Sequence, residues 1–398
     1  MSKQKIRCGI IGYGPTFNWG WMHGKWIMAV SDLELVAISD KDPVCLEKAK
    51  SDFPEIDLYS DMYEMITRDD IDLISVVTHH NTHAKIAIEC LKAGKHTVVE
   101  KPMCISIEEA DAMIEASEKA GRTLAVFHNR RHDGNVRAIK EVIEQGQIGD
   151  VFYIELSNMG YGHSPGIWRS SKEVSGGALY DWGSHGIDWI LHILSGKKMV
   201  QVSGFFHKLV WHDISNEDQA KVIIVFDDGT VAEIMQSSIA YAGKPLWYIL
   251  GTKGAIVDTG RDAIKGYTKE LVGPSGGSFK MITAEGEKEI RYKESDWINY
   301  YVDLADHLLH RKPVPVSAEE GRRVITVLNT AETPIRFCSA MPSSIARSGN
   351  LCANGAMKPQ QSQLTPHILG SSIASSNRVS GNDLAIVTLP PQVRAKLL

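Results

Sequence analysis

The amino-acid sequence predicts an α/β protein in two parts: an N-terminal doubly wound parallel sheet, then an α+β domain with a largely antiparallel open sheet. Three observations predict it. Short apolar runs alternate with amphipathic segments over the first third of the chain, the pattern of parallel strands joined by right-handed crossovers. After Asn129 the alternation gives way to strand-like runs with a hairpin turn signal. At 398 residues the chain exceeds what one ordinary core fills, so two domains are expected.

Residues 6–12 (Ile-Arg-Cys-Gly-Ile-Ile-Gly) are short, apolar and closed by glycine, as a buried parallel strand should be. Further strands are expected at 33–39, ending at Asp40; at 71–78, ending at a polar cluster; at 95–100, ending at Lys101-Pro102; and at 123–127, ending at His128-Asn129. Helices fall between them at 43–52, 61–67, 83–93 and 107–120, and Gly94 and Gly121 suit the C-caps of the last two. In the second part a helix at 136–144 precedes strands at 151–157, 200–206, 220–226 and 230–237. Asp227-Asp228-Gly229 forms the turn between the last two. Helices at 294–310 and 318–332 follow. From Thr333 onward Ser, Asn, Pro and Gln dominate and periodicity is lost. The expected division is therefore 1–128, 129–335 and a disordered or non-native tail at 336–398.

Composition narrows the function. The chain is 43% hydrophobic and 23% charged, as globular proteins are. With 43 basic against 48 acidic residues it carries no long-range attraction for nucleic acid or anionic lipid, so neither partner is expected. Residues 1–7 are polar and basic, no secretory or membrane-length apolar segment appears, and a cytoplasmic location is expected. The six cysteines show no metal or disulfide spacing and read as free thiols.

The first strand runs into Gly9-Ile-Ile-Gly12-Tyr-Gly14, where missing side chains let backbone approach a pyrophosphate at a helix N-terminus. Asp40, at the next strand's end, suits the adenosine ribose hydroxyls and repels a 2′-phosphate, so NAD is expected in preference to NADP, with Lys41 beside it. Together these describe a Rossmann domain.

Gly12-Tyr-Gly14, then 93–102 (Ala-Gly-Lys-His-Thr-Val-Val-Glu-Lys-Pro) and 176–185 (Gly-Gly-Ala-Leu-Tyr-Asp-Trp-Gly-Ser-His) resemble the glucose-fructose oxidoreductase, inositol dehydrogenase and rhizopine-catabolism (Gfo/Idh/MocA) family over residues 6–332. The resemblance implies that Lys101 contacts cofactor and substrate hydroxyl, His185 is the general acid/base and Asp181 binds substrate and tunes the histidine. It also implies that Thr78, Asn81 and His83, with Glu100, Trp168 and Arg169, line the cofactor, and that Asn129-Arg130-Arg131 links the domains, with Asn129 and Arg130 expected at the substrate.

Elementary chemistry agrees with these roles. Removing hydride from a secondary alcohol requires its proton to leave to a base titrating near neutrality, which suits histidine. A strand-end lysine can stabilise charge developing on the same oxygen. Asp181 and His185 are four apart, on one face if helical, where the carboxylate would orient the imidazole.

The sequence also departs from the family pattern. The spacing from the glycines to His23 is roughly three residues longer than usual, so a reshaped phosphate loop is expected, with Phe17, Asn18 and Trp19 either closing over the cofactor or packing against the second domain. His79 stands where relatives carry proline, and it is expected at the cofactor; no metal is expected despite His80 and His83. Aromatic residues near the site suit a pyranose face, and His163 in a glycine-rich loop is a further substrate candidate. The expected activity is hydride transfer between nicotinamide and a secondary hydroxyl of a sugar, glycoside or cyclic polyol, in a homodimer or homotetramer. Two other readings stay open: tightly held NAD serving redox-assisted elimination of a glycosidic group, and a non-catalytic dinucleotide sensor.

Overall fold

Apolar residues of β1 (Ile6–Ile11) pair on one side with β2 (Leu33–Ser39) and on the other with β4 (Leu73–Val76), both parallel. The computed structural model describes residues 5–14, 18–164, 166–258 and 276–333. Beyond β4 the sheet continues through β5 (His96–Glu100) to β6 (Leu124–Phe127), and beyond β2 it gains β3 (Asp57–Tyr59), giving the order β3-β2-β1-β4-β5-β6. The sequence pattern expects five strands, not six; β3 is three half-polar edge residues, too short to show a period. Helices α1 (Trp19–Ala29), α2 (Pro43–Asp52), α3 (Met62–Ile66), α4 (His83–Lys92) and α5 (Ile107–Ala120) make the crossovers. Gly94 and Gly121 follow the last two with φ of 78° and 59°, the left-handed geometry that ends a helix without Cβ strain.

The second sheet has eight strands: β7 (Val151–Met159), β8 (Met199–His207), β9 (Gln219–Phe226), β10 (Val231–Ser237), β11 (Trp247–Gly251), β12 (Gly254–Asp258), β13 (Ser278–Thr283) and β14 (Gly286–Arg291). Their order is β14-β13-β12-β11-β7-β10-β9-β8, antiparallel except where β10 runs parallel to β7. Sequence analysis finds only four of these strands. The others are short, and β14 is exposed along most of its length, so no alternation marks it. Gly229, φ 86°, closes the β9–β10 hairpin as expected. Alternate residues of β9 are buried, which leaves one face packed and the other half-open.

Helix α6 (Gly134–Glu144) enters this part, a short α7 (Lys172–Ser175) and α8 (Ser184–Ile193) lie between β7 and β8, and α9 (Asn299–His310) and α10 (Ala318–Glu332) close it. Helix α10 packs against α5 and β6 of the first sheet and α8 and β8 of the second. Helix α9 brings Tyr300 and Tyr301 into the first sheet's core, where they pack around Phe127 and Trp26. Both sheets belong to one compact unit. Among the described residues no helix is long and apolar enough to cross a membrane. The expected tail at 336–398 and Phe17 lie outside the described residues.

Candidate active site

The strand order reverses direction between β1 and β4, and ligands of such sheets bind outside the carboxyl ends at that point. A cleft of about 750 Å³ opens there, lined by Gly12, Gly14, Trp19, Asp40, Thr78 and Lys101 among others. Gly12 adopts φ 99°, and a Cβ on it would meet the Val77 carbonyl oxygen at 2.1 Å, so only glycine passes this point without moving backbone. A Cβ on Gly14 would meet nothing within 4 Å. Asp40 accepts hydrogen bonds from the backbone N–H of Tyr13 (2.6 Å) and of Asp42 (2.9 Å), which ties the glycine turn to the end of β2. Asn18 caps α1 in a left-handed conformation, φ 54°, and is exposed. Trp19 forms a half-buried wall of the cleft.

The inner end of the cleft is built by the residues after β4 and β5. Glu100 accepts from His23 Nε2 (2.9 Å) with one carboxylate oxygen and from the Lys101 backbone N–H (2.9 Å) with the other. Burial alone would raise the Glu100 carboxyl, but the His23 hydrogen bond and the Lys101 charge hold it below its ordinary value. His23 Nδ1 lies 2.6 Å from the Tyr301 hydroxyl, which lies 2.9 Å from Ser75 Oγ. Lys101 is 8% exposed, and its ammonium donates to the Asp181 carboxylate at 2.8 Å and to the Asp181 backbone oxygen at 2.9 Å.

Asp181 comes from the second part, in a π-helical turn (Leu179–Gly183) that leads into α8. Its carboxylate also faces Arg169 Nε at 3.5 Å. Burial opposes ionisation, yet Lys101 and Arg169 hold the group well below the usual carboxylate range. His185, 5% exposed, packs against Trp182 and Trp189, and neither ring nitrogen hydrogen-bonds to the described residues, with Nδ1 sealed from solvent. Burial pushes its pKa well below the ordinary 6.5, and the positive charge of Lys101 adds to that, followed by Arg130 and His128. A neutral imidazole beside a lysine ammonium can receive a proton as a base while the ammonium binds the oxygen left behind.

The expected support of His185 by Asp181 is corrected by this geometry. No hydrogen bond or ion pair joins them; the carboxylate is held by Lys101 and Arg169 instead. Four-residue spacing brings two side chains near one face of a helix but does not fix which partner each takes, and Lys101, from the end of β5, takes the carboxylate.

The other expected site residues divide between the cleft and its surroundings. Gly12, Gly14, Trp19, Asp40, Thr78, His79, His83, Glu100, Trp168 and Arg169 all line the cleft. Trp168 is layered between His79 (ring centroids 4.6 Å) and the Arg169 guanidinium (4.2 Å). Asn81 is exposed and off the lining. Asn129 is buried with Nδ2 unpartnered, next to His128, whose ring lies 6.1 Å from that of His185. Arg130 is buried against the Trp182 and Trp297 rings and bonded to Asp133 at 2.9 Å. His163 sits off the lining, paired with Asp213 at 2.8 Å and packed on Trp211.

Sequence reasoning missed the roles of His80, His23 and Tyr301 in this arrangement. His80 lines the cleft and is pinned by the Ser175 carbonyl. The run of histidines at 79–83 was its only signal; Tyr301, 278 residues from His23, had none.

A nicotinamide dinucleotide suits the residues present. Gly12 and Gly14 line the cleft without side chains and leave the end of β1 open to a pyrophosphate, Asp40 faces the same cleft as a ribose acceptor, and Lys101 lines it too. Fold and site together define a dinucleotide-binding oxidoreductase. Residues 6–128 match the oxidoreductase family with NAD-binding Rossmann fold, GFO/IDH/MocA, and residues 136–257 match that family's C-terminal domain. The scyllo-inositol 2-dehydrogenase (NADP(+)) IolW of Bacillus subtilis is 27% identical over 347 residues, covering 82% of this chain and 92% of its own length. The myo-inositol 2-dehydrogenase of Thermotoga maritima is 29% identical over 325 residues, covering 80% and 93%. Among solved structures, YvaA of Bacillus subtilis superposes with a TM-score of 0.73 at 26% identity, covering 83% of this chain and 96% of that one. The chain belongs to the GFO/IDH/MocA family and is an NAD(P)-dependent dehydrogenase.

Proposed function

We propose that the enzyme transfers hydride between nicotinamide and a secondary hydroxyl of a sugar, glycoside or cyclic polyol. The observation that carries this is Lys101: it lines the dinucleotide cleft, is held by Asp181 and supplies the leading charge acting on the buried imidazole of His185. An ammonium has three N–H donors, and Asp181 takes two of them through its carboxylate and its backbone oxygen. The third is directed to the substrate oxygen. His185, neutral at working pH, accepts the hydroxyl proton. Asp181 positions the lysine rather than the histidine, and the aromatic rings of Trp182 and Trp189 exclude water around the base. The nicotinamide supplies the hydride acceptor when bound.

Inositol dehydrogenases among the relatives support a cyclic polyol within this class. The Asp40 carboxylate, facing the cleft at the end of β2, favours NAD by repelling a 2′-phosphate. Lys41 lines the same cleft and one relative is named for NADP(+), so cofactor choice is part of this proposal. A homodimer or homotetramer is proposed from the half-open outer face of the second sheet, where Phe205 and Tyr248 are exposed; sedimentation of a monomer would refute it. The buried free thiols Cys8, Cys45, Cys90 and Cys104 support a reducing, cytoplasmic location; localisation of a tagged full chain to an oxidising compartment would refute that.

The decisive experiment incubates the protein with inositols and a sugar panel in NAD or NADP while recording absorbance of the reduced cofactor. Turnover that falls sharply in Lys101→Ala is the expected result. No turnover on any of these alcohols, or turnover that Lys101→Ala leaves intact, defeats the proposal.

A further inference from the structure

We infer that His80 reads the carboxamide of the bound nicotinamide, with its Nε2 accepting a hydrogen bond from the amide N–H. The inference rests on the dinucleotide reading above and adds a residue and a contact to it.

His80 Nδ1 lies 2.8 Å from the backbone carbonyl oxygen of Ser175, and a carbonyl can only accept, so Nδ1 carries a hydrogen. The ring is buried among His83, Trp168 and the Lys101 ammonium, surroundings that keep it neutral. A neutral imidazole protonated on Nδ1 presents a lone pair on Nε2. Among the described residues that nitrogen has no protein partner, and the ring, although only 2% exposed, lines the cleft.

Its neighbour shows that this is not a general property of the histidine run. Both nitrogens of His83 face backbone oxygens, Nδ1 that of Pro102 at 2.8 Å and Nε2 that of Thr78 at 3.2 Å; the neutral ring donates to one of them, and neither nitrogen is turned to a ligand. Ser175, which fixes His80, belongs to the second part of the chain, so the acceptor is aimed only when both parts are in place.

Position selects the donor. His80 lies at the Lys101–Asp181 end of the cleft, close enough that both charges act on its ring, while Asp40 occupies the other strand end. The nicotinamide ring must lie at the lysine end for hydride transfer to the alcohol that Lys101 holds. The N–H donors on that ring are those of the carboxamide. The His80 and Trp168 rings stand nearly perpendicular, 86° apart with centroids at 4.8 Å, which fixes the plane in which Nε2 accepts.

The test uses 3-acetylpyridine adenine dinucleotide, in which a methyl ketone replaces the amide and the N–H donors are gone. Binding is followed without substrate by quenching of tryptophan fluorescence, since Trp19 and Trp168 line the cleft. The unmodified protein should bind NAD about tenfold more tightly than the analogue, the effect of one buried hydrogen bond. His80→Phe should weaken NAD by a similar factor and leave the analogue unchanged, and His80→Asn, which retains an acceptor, should restore part of the discrimination. Equal affinities of the unmodified protein for the two dinucleotides overturn the inference without any variant. So does parallel weakening of both in His80→Phe, or unchanged NAD binding with a raised substrate KM, which would make a substrate hydroxyl the donor. Failure of the unmodified protein to bind NAD or NADP at all would instead remove the dehydrogenase reading itself.

Discussion

Lys101 sets the electrostatic state of its surroundings as well as binding oxygen. It helps keep a carboxylate ionised and adds to the burial that keeps an imidazole neutral, opposite consequences of one positive charge in a poorly solvated site. Replacing it with methionine removes a charge that lowers the His185 pKa. The sign follows: the imidazole titrates at higher pH in Lys101→Met, and the acidic limb of kcat/KM moves upward with it. Rate should also fall by roughly 10²- to 10³-fold, as for loss of an oxyanion donor. A rate loss with an unmoved acidic limb would mean that the base is not His185. Arg130 and Asn129 show the opposite lesson. Both were expected at the substrate, yet Arg130 is committed to Asp133 and a cage of indole rings, a contact no spacing rule reveals.

At the scale of elements, two short irregular pieces decide the chemistry. The β1–α1 turn separates two glycines with different duties. Gly12 is required by backbone contact, whereas Gly14 faces open space inside the cleft. Gly14→Val should therefore fold with a melting temperature close to that of the parent and lose roughly tenfold or more in dinucleotide affinity, because its side chain occupies the phosphate approach. Intact affinity in a folded Gly14→Val protein would place the pyrophosphate elsewhere. The π turn at Leu179–Gly183 is the second piece. It delivers Asp181 to Lys101 and leaves His185 alone among tryptophans, an outcome that four-residue spacing in the sequence could not disclose.

Taken whole, the molecule buries many histidines as neutral rings. His96, His132 and His192, half-buried, are each lowered to about 4, and in each case loss of solvent is the leading cause, with neighbouring positive charge adding to it. In the unfolded chain these rings take up protons near their ordinary 6.5, whereas the folded protein refuses them until about 4. The unfolded state thus binds more protons in that window, and stability must decline as pH falls through it. Thermal melts between neutral pH and pH 4.5 should show a steadily falling midpoint. A flat profile would mean that the rings are hydrated in the folded state. Tyr300 and Tyr301, buried in the first sheet's core from α9, further imply that both sheets melt together in one transition.

By itself the sequence determined the strand-and-helix alternation of the first 128 residues, because buried parallel strands are continuous apolar runs and their ends are marked by glycine, proline or charge. Local signals singled out Gly12 and Asp40, whereas Lys101, Asp181 and His185 stand out only together, through the resemblance of their segments to the family. Tertiary structure alone decided which of them touch: that Asp181 holds Lys101, that Ser175 fixes the tautomer of His80, and that Tyr301 reaches His23 from 278 residues away. Hydrogen bonds and charge effects depend on distances set by the packing of distant segments, and a one-dimensional pattern carries no record of those distances.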